Sequence, residues 1–414
     1  MNSTPVVVGC GPSAFLLCLY LQKYCFPHKL ILSRPLSTGK IGESLLPSIQ
    51  SHFINLNLPS SPLFHRSFIK RGVNFKTDST SLPLRFDNAG PFFSYNLDRF
   101  DFDSYLLQTY IDRGGEVISA KSFQLHRHGS YSLHVRSDLS HQFDGLIIDA
   151  TGSPRFSSSF IPTHYSSNLK NKATFFWTTI SRSSSNDFSF VDIFLDQNQS
   201  WFWHIPIRSL PNSVVSSIGY VSPSSSTSSP DYEKFFSKFD LQPLDSYEDY
   251  PSSNKPLHRS DFNYVRDSFF HDNLILCGDS SAFVDPMMSS GVHYCSFSAM
   301  TLARILSSRK SSEDINSLLI RYEVECLQEY LSFHQGVSCL YTDELTINNF
   351  SFLRRFLNLS SGISHSRSLD PLVSFRSADN NLSLFRDKLF RFAFNLLDSP
   401  RSAKLEDIRK VPFF

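Results

Sequence analysis

The sequence predicts an α/β protein, in which a Rossmann-like domain carries an inserted antiparallel sheet and is followed by a helical C-terminal region. Three patterns predict this fold class. Residues 5–32 read as a strand, a glycine turn, a helix and a second strand. Residues 172–220 alternate apolar and polar side chains around many aromatics, which is typical of antiparallel strands. Beyond residue 312 the apolar residues follow a helical spacing.

The composition indicates a globular, enzyme-sized protein. Of its 414 residues 41% are hydrophobic and 19% charged, which is enough to bury one large core or two coupled cores. The 39 basic and 38 acidic side chains nearly cancel. This balance excludes a global electrostatic attraction to nucleic acid or to an anionic membrane. We therefore expect small molecules as partners, with no nucleic acid and no membrane.

The cysteines and the N-terminus predict a cytoplasmic location. Seven cysteines, an odd number, form no C-x-x-C pair and no zinc spacing, so we expect free thiols in a reducing compartment and no metal site. The apolar run at 6–21 is broken by two glycines and a proline. It is therefore predicted to be a strand and a helix rather than a signal peptide or a membrane span.

The Rossmann-like domain is predicted to be assembled from both ends of the chain, because a strand at 273–277 ends at Gly278-Asp279 and resembles the strands near the N-terminus. The serine-rich stretch 222–230 is predicted to be an exposed loop. The predicted bounds are 1–170 and 255–310 for the nucleotide-binding domain, with substrate-domain segments interleaved near 60–98, 171–254 for the antiparallel substrate domain, and 311–414 for a helical C-terminal cap.

Gly9, Gly11 and Ala14 fit the G-x-G-x-x-G/A fingerprint of dinucleotide binding. The first glycine permits a tight turn, the second lets the backbone approach a pyrophosphate, and the small third residue lets the helix pack on the strand. The alternative is an ordinary glycine-rich turn. One departure concerns the adenosine ribose: Ser33 stands where an acidic residue is expected. This predicts weaker or rearranged adenosine binding.

Five motifs occur in the order seen in FAD-dependent monooxygenase-like enzymes, over roughly residues 5–306. They are GPSA at 11–14, GESLLP at 42–47, DRFDFD at 98–103, DATG at 149–152 and GD at 278–279. The resemblance implies FAD as the cofactor, with Asp279 bonded to the ribityl chain and Arg99 near the flavin. A strand-ending turn and a helix-start charge are the alternatives for these two residues. The implied FAD-binding residues are Gly9, Gly11, Ser13, Ala14, Arg99 and Asp279.

Within that superfamily, WFWHIP at 201–206 resembles the W-x-W-x-I-P signature of flavin-dependent halogenases. Trp201 and Trp203 are two residues apart, so on a strand both point to one face, and we expect Pro206 to end the strand. The resemblance implies that they form a barrier between flavin and organic substrate, which leaves a halide as the species able to reach the flavin. The alternative is an aromatic core stripe.

The segment 68–75 resembles the halogenase segment that carries the essential lysine, which on this match is Lys70. An ammonium group can hydrogen-bond the oxygen of hypohalous acid, or the amine can itself be halogenated. The alternative is a solvated surface lysine beside Arg71, and Lys76 is the second candidate for the essential lysine. We expect Glu43 to contact the Lys70 region or relay a proton, with an ordinary buried glutamate as the alternative. His204 and His293 are predicted to be structural rather than acid-base groups.

The segment 285–293 resembles the family's halide loop, which implies halide binding by the amides of Ser290 and Gly291 at a helix start. Helix capping is the alternative and is compatible with halide binding. Met288 stands where tryptophan halogenases carry a glutamate. This departure favours phenol- or pyrrole-type substrates, which are already electron-rich.

The resemblance therefore implies FADH2-dependent chlorination or bromination of an electron-rich aromatic, through a flavin C4a-hydroperoxide and hypohalous acid directed by Lys70. We expect Lys70 and the Ser290-Gly291 loop on two sides of the tryptophan barrier. A separate flavin reductase is expected to supply FADH2, and the substrate arrives free or bound to a carrier protein. An FAD-dependent aromatic hydroxylase and a non-catalytic FAD-binding protein are the alternatives. Several C-terminal phenylalanines either line the substrate cavity or form a core: Phe350, Phe352, Phe356, Phe390, Phe392 and Phe394.

Overall fold

The computed structural model describes residues 4–341, apart from 60–62, 64, 80, 87–92, 153–155, 167–170, 183–186, 197–199, 228, 245–249, 251–254, 261 and 310–313. For 335, 336 and 338–341 only the backbone is described. The C-terminal phenylalanines from Phe350 to Phe394 therefore lie outside the described residues.

The described residues form the strands and helices that follow. The strands are β1 (Val6–Gly9), β2 (Lys29–Leu32), β3 (Phe68–Lys70), β4 (Gly72–Lys76), β5 (Ser81–Arg85), β6 (Ser94–Asn96), β7 (Val117–Ser119), β8 (Ser122–His128), β9 (Ser130–Arg136), β10 (Ser140–Phe143), β11 (Ile147–Asp149), β12 (Thr163–Tyr165), β13 (Asn171–Ser181), β14 (Phe190–Leu195), β15 (Trp201–Ser209), β16 (Ser213–Pro223), β17 (Leu257–Ser260), β18 (Tyr264–Arg266), β19 (Phe270–His271), β20 (Leu274–Leu276) and β21 (Ala282–Phe283). The helices are α1 (Pro12–Lys23), α2 (Ile49–Asn55), α3 (Arg99–Asp112), α4 (Tyr232–Lys238), α5 (Ser290–Ser307) and α6 (Ile315–Tyr341).

A six-stranded, mostly parallel sheet has the order β19-β20-β11-β1-β2-β7. Strands from both parts of the chain meet in it, since β11 pairs in parallel with β1 on one side and with β20 on the other. The carboxyl ends of parallel strands lie at one edge of a sheet. The turns that follow β1, β11 and β20 therefore meet at that edge, and the α/β, Rossmann-like fold is confirmed.

Helix α1 is buried because its sequence is apolar on every side. All residues from Pro12 to Leu21 are buried, and the proline occupies the first turn, where its missing N–H costs no hydrogen bond. Helix α3 begins at a side-chain cap, in which Asp98 accepts the backbone N–H of Phe100 at 2.8 Å. Helices α1 and α5 pack against each other and share the largest hydrophobic core.

A seven-stranded sheet has the order β17-β13-β16-β15-β14-β4-β5 and is antiparallel except where β14 pairs with β4. Its strands alternate between two faces. The inner face packs into the same core as α1 and carries Phe175, Trp177, Trp201 and Trp203. The outer face packs against α4 and carries Phe176, Phe194, Phe202 and Tyr220.

The serine-rich stretch starts later than predicted. Ser222 and Pro223 are the last residues of β16, where they pair with Lys172 and Asn171, and Ser222 is buried. The long antiparallel pairing with β13 carries the strand past the predicted boundary. The exposed loop therefore begins after Pro223.

Three smaller sheets complete the described part, with the orders β10-β9-β8, β12-β18-β21 and β3-β6. The first covers the other side of the six-stranded sheet, and its buried side chains form a core with those of β1 and β20. Strand β3 places Lys70 by simple alternation, since Ile69 is half exposed and Lys70 is buried. Among the described residues no helix is long and apolar enough to cross a membrane.

Candidate active site

The glycine turn after β1 has the shape of a phosphate-binding turn. A Cβ added at Gly9 would lie 2.4 Å from the carbonyl oxygen of Ala150 and 2.7 Å from Cβ of Ala14, so a side chain has no room there. A Cβ added at Gly11 would meet no described atom within 4 Å. Gly11 thus faces open space at the N-terminus of α1, where backbone N–H groups and the helix dipole attract an anion. This arrangement fits the pyrophosphate of FAD.

Lys40 lies beside this turn, and no motif in the sequence indicates it. Its Nζ donates to the carbonyl oxygen of Cys10 at 3.3 Å and pairs with Asp103 at 3.1 Å. At the end of β2, Ser33 donates its backbone N–H to the carbonyl of Gly9 at 3.4 Å. The Lys40 ammonium adds positive charge near the predicted phosphate position. Ser33, which replaces the acidic residue expected to bind the adenosine ribose, is bonded to the same turn.

Arg99 is a buried cation at the first position of α3. Its guanidinium pairs with Asp103 at 3.2 Å and donates to the carbonyl of Ile41 at 2.7 Å. Gly42 lies against it with φ +96°, and a Cβ there would be 2.5 Å from Nη1 of Arg99. The glycine therefore allows the 42–48 segment to pass close to the guanidinium.

Asp279 follows β20 in the short 3-10 helix Gly278–Ser280. Gly278 has φ +63°, and a Cβ there would lie 1.9 Å from Oγ of Ser13, so the turn abuts the start of α1. Desolvation raises the pKa of the Asp279 carboxyl to about 7. Its Oδ1 accepts a long hydrogen bond from Sγ of Cys295 at 3.5 Å. A carboxyl group has further acceptor positions, so a ribityl hydroxyl can bind here.

Glu43 is buried against the inner face of the seven-stranded sheet. Its Oε1 accepts a hydrogen bond from Nε1 of Trp177 at 3.0 Å, and Ser217 is a further partner. Burial raises its pKa to about 7, opposed by these hydrogen bonds and by the charge of Arg99. The contact with Lys70 that the sequence suggested for Glu43 is made instead by the next residue, Ser44.

Lys70 is fully buried, and its ammonium group has three oxygen acceptors. Nζ donates to Oγ of Ser44 at 2.7 Å, to the carbonyl of Leu45 at 3.1 Å and to Oγ of Ser289 at 3.4 Å. It also lies 5.3 Å from the ring centre of Phe86. Burial lowers the pKa of Lys70 to about 7. The alternative of a solvated surface lysine is therefore wrong.

The 285–293 segment turns sharply into α5. Ser289 has a left-handed backbone with φ 54°, and α5 begins at Ser290. The hydroxyl of Ser290 donates to the carbonyl of Asp285 at 3.2 Å, and that of Ser289 donates to Oγ of Ser44 at 3.1 Å. The first backbone N–H groups of a helix have no acceptor within the helix, so those of Ser290 and Gly291 are suited to an anion.

Lys70 and the 285–293 segment are in contact. The sequence-based expectation placed the lysine and Ser290-Gly291 on two sides of a tryptophan barrier, and the structure brings them together, since Nζ reaches Ser289, directly before Ser290. The physical reason is that β3 pairs with β6 and not with the seven-stranded sheet. The Lys70 side chain therefore lies between Ser44 and Ser289, the residue directly before α5.

Trp201 and Trp203 both lie on the inner face of β15, as their spacing predicts. Their ring centres are 5.7 Å apart, and Nε1 of Trp203 donates to Oγ of Ser217 at 3.1 Å. Gly219 lies opposite Trp203 on β16, and a Cβ there would be 2.1 Å from the indole ring. The glycine makes room for the indole of Trp203, and Ser217 links that indole to Glu43.

Pro206 does not end the strand, contrary to the sequence-based expectation. Strand β15 continues to Ser209, and its pairing with β16 shifts register between Pro206 and Arg208. A proline is tolerated in a strand at such an irregularity because the ladder is locally interrupted there. Arg208 then pairs with Asp98 at 2.6 Å and with Asp101 at 3.0 Å, which ties the strand to the start of α3.

Lys76 and His204 lie on the outer face of the seven-stranded sheet. Nζ of Lys76 donates to the carbonyl of Lys238 on α4 at 2.8 Å. His204 contacts Asp192 at 2.9 Å through Nδ1 and Ser216 at 3.0 Å through Nε2. Both side chains are satisfied away from Lys70. The structure therefore gives no support to Lys76 as the essential lysine, and His204 fits the predicted structural role.

Comparisons with known proteins identify the family of the chain. The profile of the tryptophan halogenase family matches residues 85–342, more than half of the chain. The chain belongs to the tryptophan halogenase family. It is a flavin-dependent halogenase, an oxidoreductase that uses FAD and a halide.

Two curated relatives and two solved structures illustrate the similarity of this halogenase to others. It is 26% identical over 379 residues to the flavin-dependent halogenase armH4 of Armillaria mellea, covering 75% of this chain and 67% of the relative. It is 20% identical over 403 residues to a 1H-pyrrole-2-carbonyl-[peptidyl-carrier protein] chlorinase of Pseudomonas fluorescens, covering 81% and 84%. The flavin-dependent brominase Bmp2 has a TM-score of 0.73 at 17% identity, covering 87% of this chain and 93% of that one. The myxobacterial chondrochloren halogenase CndH has a TM-score of 0.71 at 19% identity, covering 95% and 96%.

Proposed function

We propose that this halogenase chlorinates or brominates an electron-rich aromatic of the phenol or pyrrole type, and that Lys70 directs the halogen. The observation that carries the proposal is the fully buried Lys70 ammonium, held by Ser44, Leu45 and Ser289. Burying an ammonium costs free energy, so a desolvated lysine beside a proposed anion site is a strong functional candidate.

FAD would be held at the carboxyl edge of the six-stranded sheet. Gly11 leaves room for the pyrophosphate at the start of α1, Asp279 offers acceptor positions to the ribityl chain, and Arg99 with Lys40 supplies positive charge. When FAD is bound and reduced, it supplies, together with oxygen, the oxidising equivalent that converts a halide ion to hypohalous acid.

The halide would bind to the backbone N–H groups of Ser290 and Gly291. These amides start α5, and its dipole places partial positive charge there. The Lys70 ammonium adds a full positive charge nearby, since it donates to Ser289. Anion and lysine would therefore share one small region, and hypohalous acid would have a short path to Lys70.

Lys70 in its charged form would hold hypohalous acid by a hydrogen bond to its oxygen. This bond withdraws electron density from oxygen and makes the halogen more electrophilic. A pKa of about 7 keeps the ammonium available near neutral pH and also makes the free amine accessible. We therefore propose hydrogen-bond donation as the main role, with halogenation of the amine as the competing one.

The inner face of the seven-stranded sheet would separate organic substrate from the flavin. Trp201, Trp203 and Trp177 form a buried aromatic layer there, and hydrogen bonds to Ser217 and Glu43 hold two of the indoles. Rigid apolar side chains exclude water, which would otherwise destroy the oxidant. Pro206, within β15, would contribute through the register shift that brings Arg208 to α3.

The substrate class is inferred from Met288. This side chain is buried in the main core, at the position where the tryptophan-specific enzymes carry a glutamate. A phenol or a pyrrole is electron-rich enough to react without such a carboxylate. One curated relative is a chlorinase of a pyrrole group on a peptidyl carrier protein, which makes a carrier-bound substrate a specific option to test.

We also propose that a separate flavin reductase supplies FADH2, in the same cytoplasmic compartment. Among the described residues one parallel sheet carries one dinucleotide fingerprint. A reductase function would need a second site, for a nicotinamide cofactor. The described residues contain no second glycine turn with the dinucleotide-binding fingerprint. Purified protein with NADH alone is expected to form no product until a reductase is added.

The experiment combines purified protein with chemically reduced FAD, oxygen, and bromide or chloride. The substrates are a panel of phenols, pyrrole-2-carboxylate and a pyrrolyl-carrier protein, and products are identified by mass spectrometry. We expect a product that carries the added halogen and disappears when halide is omitted. A hydroxylated product that does not depend on halide would support the aromatic hydroxylase, and failure to bind FAD in a titration would support a non-catalytic role.

A further inference from the structure

Ser48, His293 and Glu329 form a buried hydrogen-bonded chain that the proposed reaction leaves unassigned. Nδ1 of His293 lies 2.6 Å from Oγ of Ser48, and Nε2 lies 2.6 Å from Oε1 of Glu329. All three side chains are more than nine-tenths buried. They come from three places: the 42–48 segment just before α2, the first turn of α5, and α6.

The chain joins the same two segments that hold Lys70. On one side Lys70 is bonded to Ser44 and Leu45, in the 42–48 segment that ends at Ser48. On the other side it is bonded to Ser289, in the 285–293 segment that ends at His293. His293 therefore bridges the two segments at one point and Lys70 bridges them at another. Their separation determines whether the ammonium can reach both.

We propose that His293 is a positioning residue, which with Ser48 and Glu329 fixes the distance between the 42–48 and 285–293 segments and so the position of the Lys70 ammonium. The inference rests on the proposed role of Lys70. The sequence alone indicates a structural role for His293. The inference adds a role in positioning, because the two segments that His293 joins carry Lys70 and the proposed halide site.

Imidazole is suited to this bridge because its ring is rigid and has a nitrogen on each side. Ionised carboxylates accept hydrogen bonds and do not donate them, so we assign the proton to Nε2, facing Glu329. Nδ1 accepts from the Ser48 hydroxyl in the neutral ring and donates to its oxygen in the protonated ring, so the bridge to Ser48 exists in both states. The ring is held by two hydrogen bonds of 2.6 Å and packs at a tilt against Phe333, with 5.0 Å between the ring centres, so it has little freedom to move.

Loss of the bridge should misplace the ammonium without preventing flavin oxidation. Hypohalous acid would then form but be held poorly, and more of it would escape to solvent. Misplacement by about 1 Å costs on the order of a hundredfold in positioned reactions. The expected signature is a fall in directed halogenation relative to flavin oxidation, which a purely structural residue would not cause.

The chain contains a matched control in His204. It has the same chemistry, an imidazole between Asp192 and Ser216, and is equally buried, but it lies on the outer face of the seven-stranded sheet. His293→Phe and His204→Phe each remove one carboxylate–imidazole–hydroxyl chain. Both are expected to lower the melting temperature, whereas the coupling of halogenation to flavin oxidation should respond only to His293→Phe.

The experiment measures bromination of the best phenol or pyrrole of the panel in the presence of excess free methionine, which consumes hypobromous acid in solution. Product that survives methionine is divided by FADH2 oxidised. We expect this ratio to fall roughly tenfold to hundredfold in His293→Phe and to match wild type in His204→Phe. Ser48→Ala, which removes one hydroxyl, should lower the ratio by a smaller factor and serves if His293→Phe does not fold.

An unchanged ratio in folded His293→Phe, or in Ser48→Ala where it alone folds, would overturn the positioning role, as would an equal fall in His204→Phe. Failure of the proposed function looks different, because wild-type protein would then give no methionine-resistant brominated product. Retained halogenation in Lys70→Ala would refute the proposed role of Lys70, on which the inference rests, whatever His293→Phe shows.

Discussion

The two faces of the seven-stranded sheet carry similar types of residue, but these residues make different contacts. Each has an aromatic layer, and a lysine is compared with each: Lys76 with the outer face and Lys70 with the inner face. On the outer face Phe202 packs with α4, and Lys76 donates to a backbone carbonyl of the same helix. On the inner side Trp203 is bonded to Ser217, and Lys70 is enclosed by hydroxyls and a carbonyl from two distant segments.

The difference lies in what each face is packed against. Among the described residues the outer face packs against the short helix α4, and Lys76 and His204 are bonded to that helix and to neighbouring strands. The inner face packs in the same large core as α1, and Trp177 on this face is bonded to Glu43. Desolvation brings the pKa of Glu43, Lys70 and Asp279 to about 7 each. Buried groups whose pKa is shifted in this way are candidates for functional residues.

The largest effects are expected for Trp203→Ala and Phe202→Ala. Each removes a buried aromatic from adjacent positions of β15, and each is expected to cost about 3–5 kcal/mol in the free energy of unfolding, measured by urea denaturation. Only Trp203→Ala should also lower the halogenated product formed per FADH2 oxidised, because it opens the proposed barrier. If both variants, or neither, change that yield at a permissive temperature, the inner layer has no special role.

Lys70→Met tests how much burial of the ammonium group lowers the free energy of unfolding. In the folded protein Lys70 loses its proton near pH 7, and in the unfolded chain near pH 10.5, so between these values the unfolded state binds more protons and wild-type stability rises with pH. Flavin-free Lys70→Met should therefore gain on the order of a few kcal/mol below pH 7, and the gain should shrink toward pH 10.5. Urea denaturation at pH 6.5 and at higher pH measures it. A difference independent of pH would show that the lysine is not desolvated.

Glu43→Gln gives the smallest expected effect and the opposite pH dependence. The carboxyl has a pKa of about 7 in the folded protein and about 4.5 when unfolded, so wild-type stability falls as pH rises from 4.5 to 7. The amide keeps an oxygen for Nε1 of Trp177 and carries no charge to desolvate. Flavin-free Glu43→Gln should gain about 1–3 kcal/mol at pH 8 and little at pH 4.5, by thermal or urea unfolding. A gain at pH 4.5 as large as that at pH 8 would refute the shifted pKa.

Much of the fold and part of the site could be predicted from the sequence because they depend on local patterns. The glycine fingerprint lies between an apolar strand and an apolar helix, and the tryptophan pair lies on an alternating strand. The roles of Ser44 and Ser289 could not be predicted. They meet Lys70 from 26 and 219 residues away, and a serine has no local signature that marks it as a lysine partner.

Two of the expectations that differ from the structure show how tertiary pairing overrides a local pattern. The sequence predicts that Pro206 ends β15, but pairing with β16 on one side and a register shift let the strand continue. It also predicts Lys70 across a barrier from Ser290, but pairing of β3 with β6 places Lys70 against the turn before α5. In both places neighbouring strands, which the local sequence does not specify, decide the outcome.

The claim that Lys70 directs the halogen is tested most directly by Lys70→Ala beside Lys76→Ala. Both variants are assayed with reduced FAD, oxygen, bromide, a phenol substrate and excess methionine, and FADH2 oxidation is followed in the same reactions. We predict that Lys70→Ala oxidises FADH2 but loses methionine-resistant bromination by at least about a hundredfold, while Lys76→Ala stays near wild type. Equal bromination by Lys70→Ala and wild type, or a loss confined to Lys76→Ala, would contradict the account.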